Sequence, residues 1–138
     1  MVDAGVFVEY LAPGAAHADV EPLFDVESRM ELWTPDLCLI EVADALRKRF
    51  LMDKRFTRRH LLEGVADLLA LGPLIVSSRV LVQRAIRFAD GLTIYDAVYL
   101  ELAAARRLPI CTLDDGLAAE SRRAGVSVLV PGVDALIF

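Results

Sequence analysis

An α/β domain, with a parallel sheet covered on both faces, is the fold class that three features of this 138-residue chain predict. Short apolar runs alternate with segments of helical periodicity, Gly and Pro punctuate the joints, and acids directly follow two of the runs. Apolar runs without period-two alternation suit strands buried on both faces, and the helices between them supply the crossovers that parallel strands require. Asp3 follows Met1-Val2 and Asp114 follows the run Pro109 to Leu113. Both would therefore sit at carboxyl ends of strands, where open α/β sheets place ligands.

The elements follow in order. After the stub Met1-Val2, Val6 to Leu11 reads as a helix and Pro13-Gly14 as its break. A second helix is predicted over His17 to Glu27, because Val20, Leu23, Phe24 and Glu27 separate its faces, and Glu31 to Thr34 reads as a short strand. Thr34-Pro35-Asp36 is a helix-start signal, and the helix runs to about Phe50. Thr57 caps the next helix, whose Leu61, Leu62, Val65, Leu68 and Leu69 recur at helical spacing until Gly72-Pro73 stops it. Leu74 to Ser77 reads as a buried strand, and Val80 to Ala89 and Thr93 to Arg106 as helices. Pro109 to Leu113 is the next strand, Gly116 to Ala124 a helix closed by Gly125, and Val126 to Val130 the last strand.

Composition narrows the class. The chain has the length of a single domain over residues 1–138, with neither repeat nor linker, and it is 56% hydrophobic with a mean hydropathy of +0.47. The longest uncharged run, Leu68 to Ser78, is too short for a membrane span and is interrupted by Gly72-Pro73. Asp3 and Glu9 arrive where a secretory signal would be basic, so a cytoplasmic protein is expected. Cys38 and Cys111 lie in apolar segments without close Cys or His neighbours and read as buried thiols rather than zinc ligands. His17 and His60 read as solvated positions on surface helices. The net charge of −5 argues against a broad electrostatic grip on nucleic acid, yet seven of the fifteen basic residues fall between Arg47 and His60.

Four acids and a threonine carry the candidate chemistry. Glu41 is the lone charge in Leu37-Cys38-Leu39-Ile40-Glu41-Val42-Ala43, where burial without a partner would be costly. Either a cation relieves that cost, or Glu41 belongs to a solvated stripe with Asp44 and Lys48. Asp96 completes the Thr93-Ile94-Tyr95-Asp96 capping pattern, Asp114 or Asp115 fits the cap of the following helix, and Asp3 fits the cap of the first. Capping alone explains each acid singly. As a set, acids at the starts of helices that follow strands can converge, and a hard divalent cation relieves the repulsion between clustered carboxylates. Magnesium or manganese (Mg2+ or Mn2+) fits that donor set, which has no histidine-rich element for zinc.

The blocks Val2-Asp3-Ala4-Gly5-Val6-Phe7-Val8-Glu9-Tyr10-Leu11, Pro35 through Ile40-Glu41-Val42-Ala43 to Leu46, Leu92-Thr93-Ile94-Tyr95-Asp96-Ala97-Val98-Tyr99-Leu100 with Leu102-Ala103, and Thr112-Leu113-Asp114 before Gly125-Val126 together resemble a PIN domain. Within that superfamily the chain is similar to the VapC ribonuclease toxins of toxin–antitoxin pairs. The resemblance covers nearly the whole chain, and the third and fourth blocks are its most specific parts. It implies a three-layer α/β/α fold with a central parallel sheet of about five strands. It also implies Asp3, Glu41, Asp96 and Asp114 as an acidic quartet that binds Mg2+ or Mn2+, with the Thr112 hydroxyl orienting a ligand or water. The implied activity is metal-dependent endonucleolytic hydrolysis of RNA. The implied partners are the RNA substrate, a VapB-like antitoxin lying in the groove, and a second copy in a homodimer.

Departures from the family pattern are specific. Gly5 stands where the family often has Ser or Thr, Asp44 where it often has Asn, and Asp115 adds an acid beside Asp114. Only two residues precede Asp3, which leaves the first strand short and keeps open a native start upstream of Met1. The basic arm from Arg47 to His60 suits an RNA backbone, an antitoxin, or simply solvent. Three other functions share parts of the pattern: a PIN nuclease of RNA processing, a PIN fold used only for binding, and a phosphoacceptor receiver domain. The receiver needs a lysine near the end of a late strand, whereas Lys48 and Lys54 both fall in the helical hairpin.

Overall fold

Local capping chemistry decides where the helices begin. The computed structural model describes residues 1–28 and 30–134. In helix α1 (Ala4–Leu11) the Asp3 carboxylate caps by accepting from the Val6 N–H at 3.1 Å. Helix α2 is a single turn, His17–Val20. Helix α3 (Leu37–Met52) follows Asp36, and α4 (Arg58–Ala70) opens on a reciprocal box between Thr57 and His60. Helix α5 is Val82–Ala85, α6 (Ile94–Arg106) is capped by Thr93, and α7 (Asp115–Arg123) by Asp114. Gly125 at φ 77° adopts the left-handed turn that closes α7.

The strands are short. Strand β1 (Trp33–Pro35) pairs in parallel with β2 (Leu74–Val76), and β3 (Ile110–Cys111) with β4 (Val128–Leu129). Val2 joins the two pairs: it bridges Cys111 in parallel, while its N–H donates to the Trp33 carbonyl at 2.9 Å. The Thr34 hydroxyl, fully buried, donates to the Val2 carbonyl at 3.0 Å and fastens the same seam. The spatial order is therefore β2, β1, the Val2 segment, β3, β4. This is the expected α/β architecture with a smaller sheet, since the first strand is reduced to one bridge.

The helices pack in two groups, α1 with α3 and α4, and α6 with α5 and α7. Helix α6 is the centre of the second group. Seven consecutive residues, Ala97 to Ala103, are buried, and these include Glu101. Arg87 reaches the Glu101 carboxylate at 2.7 Å and Arg84 at 3.5 Å. Replacing both arginines with Ala leaves a buried carboxylate without a counter-charge and should cost about 3 kcal/mol or more, read as a loss of denaturant stability. Replacing Glu101 with Gln should cost less, because the arginines it releases reach solvent.

Three sequence expectations fail here for identifiable reasons. The helix expected over His17 to Glu27 stops at Val20 and continues as two 3-10 turns, Glu21–Phe24 and Val26–Ser28, because Pro22 has no N–H to sustain an α-helix. The span Val80 to Ala89 breaks into a 3-10 turn Ser78–Val80, α5, and a second 3-10 turn Ile86–Phe88. Only Leu81 and Ala85 of its apolar residues are buried, so too little packing supports a continuous helix. The strand at Leu74 is half exposed rather than buried, with Leu74 at 39% and Ile75 at 42%, because β2 is the outer strand. His60 is exposed on a surface helix, as expected, and in addition caps α4.

Candidate active site

The order of the strands creates a crevice. The chain moves outward from Val2 to β1 and β2, then returns across the sheet to β3 and β4. That reversal lies between the Val2 segment and β3, and ligands in open α/β sheets bind beyond the carboxyl ends of the strands at such a switch point. Asp3 and the segment Thr112-Leu113-Asp114 are the first residues beyond those two strand ends.

Asp3 is 7% exposed, and its two oxygens have separate partners. Oδ1 accepts from the Val6 N–H, and Oδ2 accepts from the Thr112 hydroxyl. Thr112 is fully buried, and its Oγ1 in turn accepts from the Asp114 N–H at 2.9 Å. One hydroxyl thus ties two adjacent strand ends together. The Asp114 Oδ1 accepts from the Leu117 N–H at 2.7 Å at the start of α7. Asp96 is half-buried in the first turn of α6; its N–H donates to the Thr93 Oγ1 at 3.3 Å, and its Oδ2 accepts from that hydroxyl. This is half of the capping box that the sequence suggests.

Burial and mutual repulsion mark these acids as a set. Burial pushes the Asp3 carboxyl up to about 6, against the hydrogen bonds from Thr112 and Val6, and the charges of Asp114 and Asp96 push in the same direction. Asp96 is raised mainly by burial, with Asp114 adding to it. Glu41 is also raised mainly by burial, and Asp96 and Asp3 contribute. Asp3, Thr112 and Asp114 therefore join through hydrogen bonds, while Asp96 and Glu41 join through their fields. Among the described residues no three acids, histidines or cysteines close into a ready-made metal cage. What the residues do provide is a set of hard oxygen donors whose repulsion a dication would relieve.

Glu41 separates from the stripe that its spacing also allowed. Asp44 pairs with Lys48 at 3.1 Å and with Arg47 at 3.5 Å on the exposed face, whereas the Glu41 Oε1 is buried and has no hydrogen-bond partner. A cavity of about 370 Å³ is lined by Glu41 together with Ala4, Gly5, Ala45, Asp44 and Lys48. A Cβ on Gly5 would meet only the Asp3 Oδ1, at 3.5 Å, so a small side chain fits there. His17 lies 3.2 Å from the Glu9 carbonyl and stacks on Tyr10, and His60 caps α4, so each histidine has its own structural partners. Both cysteines are free and buried.

The basic arm is less positive than its sequence window suggests. Asp44, Asp53 and Glu63 hold Arg47, Lys48, Arg49, Arg55 and Arg59 in ion pairs, and two of these acids lie outside the window. Among the described residues Lys54 and Arg58 of the arm form no ion pair, and Arg58 lies over the Phe50 ring. A larger cavity, about 550 Å³, lies beside the arm and mixes Arg49 and Arg55 with Asp53, Glu63 and Asp67. It contains none of the four candidate acids, so size does not locate the chemistry.

The sequence reading missed Tyr99, which is buried on α6 one turn beyond Asp96. The i, i+3 spacing was available as a signal, but an aromatic in an apolar run reads first as core.

The PIN domain family model matches residues 1–121. The chain belongs to the PIN domain family. PIN domains are generally nucleases, hydrolases acting on RNA or DNA, and they generally use divalent metal ions. A nucleic acid is therefore the substrate class of this PIN domain. No curated protein matches the chain. Among the described residues no helix is long and apolar enough to cross a membrane.

Proposed function

We propose that this PIN domain is a metal-dependent endoribonuclease of the VapC toxin type, a single domain over residues 1–138. Asp3, Glu41, Asp96 and Asp114 would hold Mg2+ or Mn2+, and Thr112 would keep Asp3 oriented. The observation that carries the reading is the buried Asp3–Thr112–Asp114 linkage at the sheet's reversal, with Asp96 and Glu41 within its field. When bound, the cation would polarise a phosphoryl oxygen and lower the pKa of a bound water toward neutrality. The chain's own contribution is to fix two carboxylates on strand ends through one hydroxyl and to aim a water for in-line attack with a third.

Cleavage of a structured RNA pool by purified protein in magnesium or manganese, abolished by chelator, is the expected result. A folded protein inert with every metal would instead favour a PIN domain used only for binding. Toxin identity has its own measurement: expression should arrest growth, and co-expression of a small antitoxin encoded immediately upstream should relieve it. Growth unaffected by expression, with cleavage intact, would point to RNA processing.

Two partner proposals rest on the helical hairpin. Ile40 is 74% exposed, and Leu51, Met52, Leu62 and Leu69 are exposed with it on α3 and α4, which suits cover by an antitoxin or a second copy in a homodimer. For RNA, Lys54 and Arg58 are the cations of the arm that form no ion pair among the described residues. Changing each to Gln should weaken RNA binding regardless of sequence and reduce the slope of log affinity against log salt by about 0.7 for each phosphate that is no longer neutralised. At position 5, Gly5→Ser should raise cleavage severalfold by adding a hydroxyl beside Asp3. It should also stabilise α1 by about 0.5 kcal/mol, measured by denaturant melts.

A further inference from the structure

Two buried polar atoms, one on α6 and one on α3, lack hydrogen-bond partners among the described residues. Tyr99 is 1% exposed, and its hydroxyl has no hydrogen-bond partner among the described residues; neither has the Glu41 Oε1. The phenol of α6 lies within the influence of two α3 groups, Cys38 and, one turn later, Glu41. It is close enough to Glu41 to oppose the rise that burial imposes on that carboxyl, but the two groups stop short of hydrogen-bond geometry. An unmet buried hydroxyl is costly, by about 1–3 kcal/mol, and an ionised carboxylate is the stronger acceptor of the two groups beside it, since a thiol accepts weakly.

We infer that Tyr99 is a positioning residue for Glu41, its hydroxyl donating to Oε1 so that the other carboxylate oxygen is held toward the acidic crevice. Burial keeps the phenol protonated far above its ordinary range, so it remains a donor at any working pH. Ligands to metals are commonly oriented by such outer partners, whose loss weakens metal affinity about 10- to 100-fold. The inference rests on the reading of Glu41 as a metal ligand given above.

The test is manganese binding by calorimetry, with thermal unfolding in chelator, on wild type, Tyr99→Phe, Glu41→Gln and the double variant. Tyr99→Phe keeps the ring and removes only the hydroxyl. It should bind manganese about 10- to 100-fold more weakly, with its melting temperature unchanged or raised. In the Glu41→Gln background the same change should have no further effect, because the carboxylate charge that ligates the metal is already gone. Wild-type affinity in Tyr99→Phe, or an equal loss in both backgrounds, would overturn the inference. A lower melting temperature with unchanged affinity would assign the hydroxyl to the core and overturn it as well. If wild-type protein binds no manganese, the metal-site reading itself fails, and that result is distinct from the other two.

Discussion

Asp96→Asn should reduce metal-dependent RNA cleavage by about a thousandfold or more and leave the fold intact. Loss of an outer partner to a metal ligand alone costs about 10- to 100-fold, so loss of a ligand's charge should cost more. The fold should survive because the bond that starts α6 runs from the Asp96 N–H to the Thr93 hydroxyl, and the backbone of residue 96 supplies it in either variant. Asn also removes a half-buried charge that Asp114 repels, so the metal-free variant should be at least as stable as wild type. Single-turnover cleavage and a thermal melt in chelator check both halves. Undiminished cleavage would remove Asp96 from the site.

Asp3→Asn should separate stability from function. The Asp3 carboxyl is raised from 3.8 to about 6, chiefly by burial, so between those values the folded protein keeps a proton that the unfolded chain has released. Stability therefore falls as pH rises through that window, and above about 6 the full cost, at most about 3 kcal/mol, is present. Asn cannot ionise and lacks that fall, while its side-chain oxygen still caps α1. In chelator at pH 7 the variant should be more stable than wild type by about 2 kcal/mol, after allowance for a weaker bond to Thr112. The advantage should vanish near pH 4. Manganese binding by wild type should strengthen as pH rises from 5 to 7, since the proton must leave before the metal binds, and Asp3→Asn should bind it poorly. Urea denaturation of both proteins across this range measures the difference directly. Parallel stability curves would show that Asp3 ionises as freely in the folded protein as in the unfolded one.

Several features were legible because they act over a few residues. The caps at Asp3, Thr57, Thr93 and Asp114 are all formed, and α3, α4, α6 and α7 begin and end close to where Pro, Thr, Asp and Gly punctuate the chain. Periodicity misled where another local force prevailed: Pro22 broke the predicted second helix, and the residues after Ser77 bury too little to form one. Ser77 caps its own turn, and Asp36 accepts from the Ser78 N–H at 3.0 Å, which fixes that segment as a tether to the start of α3. Asp36 therefore serves a distant loop rather than its own helix. The basic arm was misjudged in size because Asp44 and Glu63, its neutralising partners, stand a helical turn outside the basic run.

By itself the sequence determined the class of the fold, the capping acids and the motif blocks that place the chain among PIN domains, because these depend on spacing along the chain. Tertiary structure decided which acids stand together. The bond from Thr112 to Asp3 joins residues 109 positions apart, and it exists only because strand order sets the Val2 segment beside β3. Glu41 turned inward while Asp44, three residues later, stayed in solvent, and Tyr99 came to lie beside Glu41 from another helix. A carboxylate's affinity for protons or metal depends on its burial and on the charges around it, and here those neighbours come from distant parts of the chain.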